Sequence, residues 1–166
     1  MTIPFIDLST QTHRQILVDR ELGQYLGRPS TCLLEAGLNL LCVYSKGHGQ
    51  GPIVLKRSLD GGLTWSERLP TPASWITSLE TPTLHRVVDA AGVKRLVLWS
   101  GLYPARLSVS EDDGNSWSEF KPAGVWGGMV VMSSLAPMRN VPGQYVAMSH
   151  DDGHWHAPGV ENVAFR

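Results

Sequence analysis

Five side chains able to move protons or bind metal crowd seven residues near the end of the sequence: His150, Asp151, Asp152, His154 and His156. Two carboxylates beside an imidazole can do general acid–base work, and the whole group is an alternative divalent-metal set. A second candidate is His48 in the loop Ser45-Lys46-Gly47-His48-Gly49-Gln50-Gly51. Imidazole titrates near neutrality, which suits a general acid, and Lys46 beside it offers a positive charge to an anion. A bland reading stands beside each: a His-rich chain end, and a flexible glycine turn.

The elements that would position these groups form a repeat. Ser58-Leu59-Asp60-Gly61-Gly62-Leu63-Thr64-Trp65 recurs 52 residues later as Ser110-Glu111-Asp112-Asp113-Gly114-Asn115-Ser116-Trp117, and Ser-Glu follows both. The shared pattern S-x-D-x-G-x-[TS]-W describes a tight turn between antiparallel strands. The Asp accepts backbone N–H groups, the Gly supplies a positive φ, the hydroxyl completes the network and the Trp covers the turn. Asp60 and Asp112 are therefore structural. Short alternating runs precede each turn: 28–34, 40–44 and 52–57 in the first unit, and 81–88, 95–99 and 105–109 in the second. A third unit begins at 129–135 and 144–148. The segment 149–155 looks like a third box, but its spacing aligns it with the loop after a second strand.

These turns resemble the Asp-box, or BNR repeat, of sialidases (neuraminidases) and related β-propellers. The resemblance spans about residues 24–155, with specific motifs only at the two boxes. It implies an all-β, partial sialidase-like six-bladed propeller of about ten strands. Blade one covers about 25–76, blade two about 77–127 and an incomplete blade three about 128–166. The active site of the family lies at the propeller centre, where three arginines hold the sialic acid carboxylate, a Glu-activated Tyr attacks and an Asp protonates the leaving oxygen. Tyr25-Leu26-Gly27-Arg28-Pro29-Ser30 is similar to the Arg-Ile-Pro segment that opens the first inner strand, one residue short between Arg and Pro. Arg28 is thus the carboxylate-binding candidate, through its bidentate guanidinium.

The loop that should carry the acid Asp holds Lys46 and His48 and no carboxylate. By this alignment His48, Asp151 and Asp152 are the catalytic candidates. Arg28, Lys46, Glu80, Tyr103, Arg106 and His150 are the substrate-binding ones, and no metal or other cofactor is expected. The nucleophile-bearing blades of the family have no counterpart here. The expectation is a glycoside hydrolase homologue that acts on or binds sialylated or other acidic glycans, catalytically incomplete as this chain. The alternative is a non-enzymatic, lectin-like or protein-interaction module, because propellers host many functions.

Composition bounds the rest. A chain of 166 residues fits one domain, and a net charge of −1 without a basic run argues against nucleic acid. Seventeen Gly and eleven Pro cut the chain into short segments, and six Trp suit a sheet protein. Cys32 and Cys42 flank a hairpin turn at Glu35-Ala36-Gly37 and read as two buried thiols, with a cross-strand disulfide the alternative. No stretch approaches a membrane span or a signal peptide, so the chain as given reads as cytoplasmic, or as secreted or periplasmic after removal of a signal. Two and a half blades leave strand edges bare, which predicts a homo-oligomer, a dimer foremost.

Overall fold

A computed structural model of the chain describes residues 6–78, 80–101, 104–124 and 131–150. Within them the fold is all-β, with only two short 3-10 turns at Thr12–Arg14 and Ala73–Ile76. No helix among the described residues is long and apolar enough to cross a membrane.

Among the described residues three antiparallel sheets follow one another. The first has the order β1 (Gly27–Leu33), β2 (Leu40–Ser45), β3 (Ile53–Ser58). The second runs β4 (Thr83–Val88), β5 (Lys94–Trp99), β6 (Arg106–Ser110), β7 (Lys121–Pro122), and the third pairs β8 (Val131–Pro137) with β9 (Tyr145–His150). The short fourth strand β7, half of it proline, carries no alternating pattern. In the first sheet the equivalent strip stays irregular, although Ser66 N–H and Leu69 N–H still donate to Arg57 and Leu55 carbonyls at 2.8 Å. Because β9 is the second strand of its sheet among the described residues, the segment after His150 follows a second strand and not a third. Its conformation lies outside the described residues.

The two faces of β2 explain its unbroken apolar run. Leu41 and Val43 join Leu55, Leu84, Leu96 and Leu98 in a core between the first two sheets. Cys42 and Tyr44 point the other way and are covered with Val54 by Val18, Leu26 and Trp65. The cysteines are separated by the same alternation. Cys32 pairs in register with Leu41 and Cys42 with Thr31, a one-residue offset that sends the two thiols to opposite faces. Both are free and buried, and burial pushes the Cys42 thiol up to about 11.

The first strands of the sheets lie side by side, β1 against β4 and β4 against β8. Polar side chains stitch them together. Ser30 Oγ accepts Leu84 N–H at 3.0 Å, and Arg86 donates to the Leu33 carbonyl at 3.1 Å and to Glu35 at 2.8 Å. Tyr145 Oη takes Val88 N–H at 2.6 Å, tying the third sheet to the second.

Both repeated turns close with the same hydrogen bonds. Asp60 Oδ1 accepts Thr64 N–H at 2.9 Å and its Oδ2 the Thr64 hydroxyl at 2.6 Å; Asp112 does the same to Ser116 at 2.9 and 2.6 Å. The leading serine is an equal partner that motif reasoning passed over. Ser58 Oγ donates to Asp60 at 2.7 Å and accepts Gly62 N–H at 2.8 Å; Ser110 Oγ donates to Asp112 and accepts Gly114 N–H, both at 2.8 Å. Trp65 and Trp117 Nε1 then cap the Gly62 and Gly114 carbonyls at 3.1 and 3.2 Å. Since Ser58 and Ser110 are buried, Ser→Ala at either should leave a glycine amide unpaired and cost about 1–3 kcal/mol, read as a lower denaturation midpoint.

These bonds also set an acid limit. Hydrogen bonds from Thr64 and Ser58 hold Asp60 down to about 2, and those from Ser116, with Ser110, hold Asp112 down to about 2, against an ordinary 3.8. A depressed carboxylate stabilises the fold in full above its unfolded value and loses that contribution as pH falls through its folded value. The melting temperature is therefore expected to hold down to about pH 4 and to fall between about 4 and 2. The decline should be shallower in Asp112→Ala, as differential scanning calorimetry would show.

Candidate functional site

The strand β1 opens with an irregularity that aims one side chain. Gly27 pairs with Ser45, but the next pair in register is Ser30 with Val43, so Arg28 and Pro29 on one strand oppose Tyr44 alone on the other. Arg28 lies in that bulge at φ 56°, a left-handed conformation uncommon for arginine. Such strain persists only where the surroundings hold it, and functional sites are where it concentrates.

Three groups hold the Arg28 guanidinium. Its Nη1 donates to Glu80 Oε1 at 3.1 Å and to Thr81 Oγ1 at 3.0 Å, and Nη2 meets His48 Nε2 at 2.5 Å. With arginine as donor, His48 Nε2 is the acceptor and the ring proton sits on Nδ1. Arg28, His48 and Glu80, which the sequence assigned to one central region, do come together.

The supports of the cluster are local. In the loop 46–51, Gly47, Gly49 and Gly51 all have positive φ, and Gly51 bridges to Ser78, whose N–H donates to the Gly51 carbonyl at 2.8 Å. A side chain at Gly49 would press on the Glu80 carboxylate, so the loop needs glycine to close over it. The Glu80 carbonyl accepts Ser78 Oγ at 2.5 Å and Ser100 Oγ at 3.0 Å, while Oε1 also takes Thr81 N–H at 2.8 Å. Glu80 is the most fixed member, with a side chain only 16% exposed against 39% for Arg28.

Tyr25 joins the site without having been singled out from sequence. Its ring lies across Gly27, where any Cβ would overlap it, and stands 5.9 Å from the His48 ring. The available signal was an aromatic two residues before a glycine at a strand start. Roughly half exposed, Tyr25 gives the polar cluster one aromatic wall.

Other candidates are engaged elsewhere. Lys46 pairs with Glu21 at 2.9 Å, and Glu21 is shared with Arg68 at 2.7 Å. Arg106 donates to the Thr77 carbonyl at 2.5 Å and the Ser100 carbonyl at 3.2 Å, with its guanidinium carbon 4.7 Å from the Phe120 ring centroid. Burial lowers its basicity, and its described bonds go to backbone, so it braces the turn after β5. Tyr103, Asp151 and Asp152 lie outside the described residues, as do His154, His156 and the His150 side chain. No group of three or more metal-ligating side chains is present among the described residues.

A tyrosine–carboxylate pair does occur, but its electrostatics are those of a tie. Tyr44 donates to Asp19, and Arg68 donates to the same carboxylate at 2.7 Å. Burial opposes ionisation of Asp19, yet the bonds from Arg68, Tyr44 and the Arg20 amide prevail and hold it near 2. Burial and the adjacent Asp19 raise Tyr44 far above the usual phenol range. A phenol so disfavoured as an anion makes a poor nucleophile; the pair anchors the N-terminal segment to the first sheet, helped by Lys56 Nζ on the Val18 carbonyl at 2.7 Å.

Comparison with protein-family models, curated proteins and solved structures finds no match among any of them.

Proposed function

We propose that this chain is a sialidase-related Asp-box protein, a partial β-propeller that recognises acidic glycans through Arg28. The observation that carries the reading is the strained, bulge-borne arginine at the junction of β1 and β4. It is flanked by a neutral imidazole acceptor and an aromatic ring. A guanidinium presents two parallel N–H donors to a carboxylate, and Tyr25 offers a flat face to a sugar ring. The matched turns and the adjacent first strands support a propeller-like repeat.

Binding is favoured over hydrolysis. The loop after β2 offers His48 and no carboxylate, and the tyrosine–carboxylate pair of Tyr44 and Asp19 is a structural tie. Purified protein is expected to bind N-acetylneuraminate or glucuronate, but not their methyl esters, in titrations followed by NMR. Arg28→Ala should weaken that binding about 10- to 100-fold, the range for a hydrogen bond to a charged group. Fluorogenic sialoside should not be turned over. Binding unaffected by Arg28→Ala, or binding of the methyl esters equally well, would remove the proposal.

Self-association belongs to the same proposal. Leu17 and Leu22 are largely exposed on the segment from which the partly buried Val18 packs against Cys42, Tyr44 and Val54 of the first sheet. A second copy would cover them, and native mass spectrometry should show a dimer.

A further inference from the structure

We infer that Glu80 is an internal counter-anion that competes with an incoming carboxylate for the Arg28 guanidinium, and so sets how strong a ligand must be. This rests on the proposed reading of Arg28 as the ligand contact.

Both terminal nitrogens of Arg28 are committed: Nη1 to Glu80 and Thr81, Nη2 to His48. Three of the five guanidinium N–H groups are thus engaged, and Glu80 already supplies Nη1 with the negative charge that a ligand carboxylate would bring. Two facts make Glu80 the competitor. Its side chain is the less exposed partner and is held independently by Thr81 N–H at 2.8 Å and Thr81 Oγ1 at 3.0 Å. When Arg28 lets go, Glu80 keeps those bonds, so exchange does not strand a buried carboxylate without donors. Charge gives the direction. Arg28 and Glu80 cancel, and Lys46, the nearest loop cation in sequence, is neutralised by Glu21. The site thus presents no net positive charge until Glu80 is displaced, and a neutral side chain there would leave Arg28 uncompensated.

Glu80→Gln tests this, since the amide oxygen can still accept from Thr81 while the charge is gone. Two measurements are needed. The first requires no ligand: modification of Arg28 by phenylglyoxal, followed by peptide mass mapping, should speed up about fivefold in the variant as the guanidinium is released. The second is titration with N-acetylneuraminate and glucuronate, which should bind about tenfold more tightly to Glu80→Gln than to the unmodified chain. Unchanged phenylglyoxal reactivity would overturn the inference. So would weaker binding, which would show that Glu80 touches the ligand directly. Arg28-dependent binding of equal strength in both proteins would remove Glu80 alone and leave the functional proposal standing. Failure of both proteins to bind either sugar, with Arg28 nonetheless released, would remove the functional proposal and the competitor role together. Should Glu80→Gln fail to fold, Glu80→Asp retracts the carboxylate by one methylene and is expected to shift both readouts in the same direction.

Discussion

Trp75→Ala is expected to lose about 3–5 kcal/mol of stability, the range for deleting a large buried aromatic and a large share of a typical domain's total. Trp75 is completely buried although it belongs to the four-residue turn between the first and second sheets. Its ring meets Trp117 edge-on at 5.2 Å and stacks on Phe120 at 5.8 Å, and its Nε1 donates to the buried Ser108 hydroxyl at 3.2 Å. Glu119 fixes the turn by accepting Ala73 N–H at 3.2 Å and Ser74 N–H at 2.7 Å. Truncation therefore opens a cavity and removes the donor to Ser108, whose hydroxyl keeps its own bond to the Ser118 carbonyl at 2.6 Å. Urea denaturation with tryptophan fluorescence would measure it; a change below about 1 kcal/mol would mean that the core between the sheets relaxes around the void.

Gly114→Ala should be nearly as damaging, whereas Gly62→Ala at the same place in the first turn should not. Both glycines have positive φ, 80° and 92°, which costs any L-residue about 1–2 kcal/mol. At Gly62 a methyl group would find ordinary contacts, 3.4 Å from Leu40 and 3.7 Å from Trp65. At Gly114 it would overlap Leu41 Cδ1, and Leu41 is completely buried, with Leu96 Cδ1 also close at 3.4 Å from the added carbon. Overpacking adds about 1–3 kcal/mol, so a total near 3 kcal/mol is expected for Gly114→Ala and roughly half that for Gly62→Ala. Parallel thermal melts of the two variants decide the matter; equal losses would show that the steric overlap is relieved.

The difference between these glycines shows what sequence could and could not convey. The turn itself was legible, because Asp, Gly, hydroxyl and Trp each answer a local backbone requirement, although the part of the leading Ser was not. So were the strands that open each sheet, from their alternation. What a turn touches is a tertiary matter, and nothing in residues 110–117 announces Leu41. Trp75 was hidden likewise, since Pro70-Thr71-Pro72-Ala73-Ser74 reads as exposed loop. Arg28 and Glu80 had an unused signal: they are 52 residues apart, the period of the boxes, so opposite charges occupy equivalent positions in successive repeats. Lys46 and Arg106 were reached by position alone, and their partners Glu21, Thr77 and Ser100 come from segments without a motif.

The seating of the second turn on the first sheet gives the fold a direction of growth. Gly114 abuts Leu41, and Arg57 donates to the Asp113 carbonyl at 2.8 Å, so the later repeat closes on residues already made by the ribosome. Emerging chain meets a finished template each time, as in an array whose units are stabilised by their neighbours. Damage in such an array crosses the shared interface: loss of the first sheet deprives the second turn of its seat, and loss of the second uncovers Leu41, Val43 and Leu55, although the first strands stay hydrogen-bonded to one another.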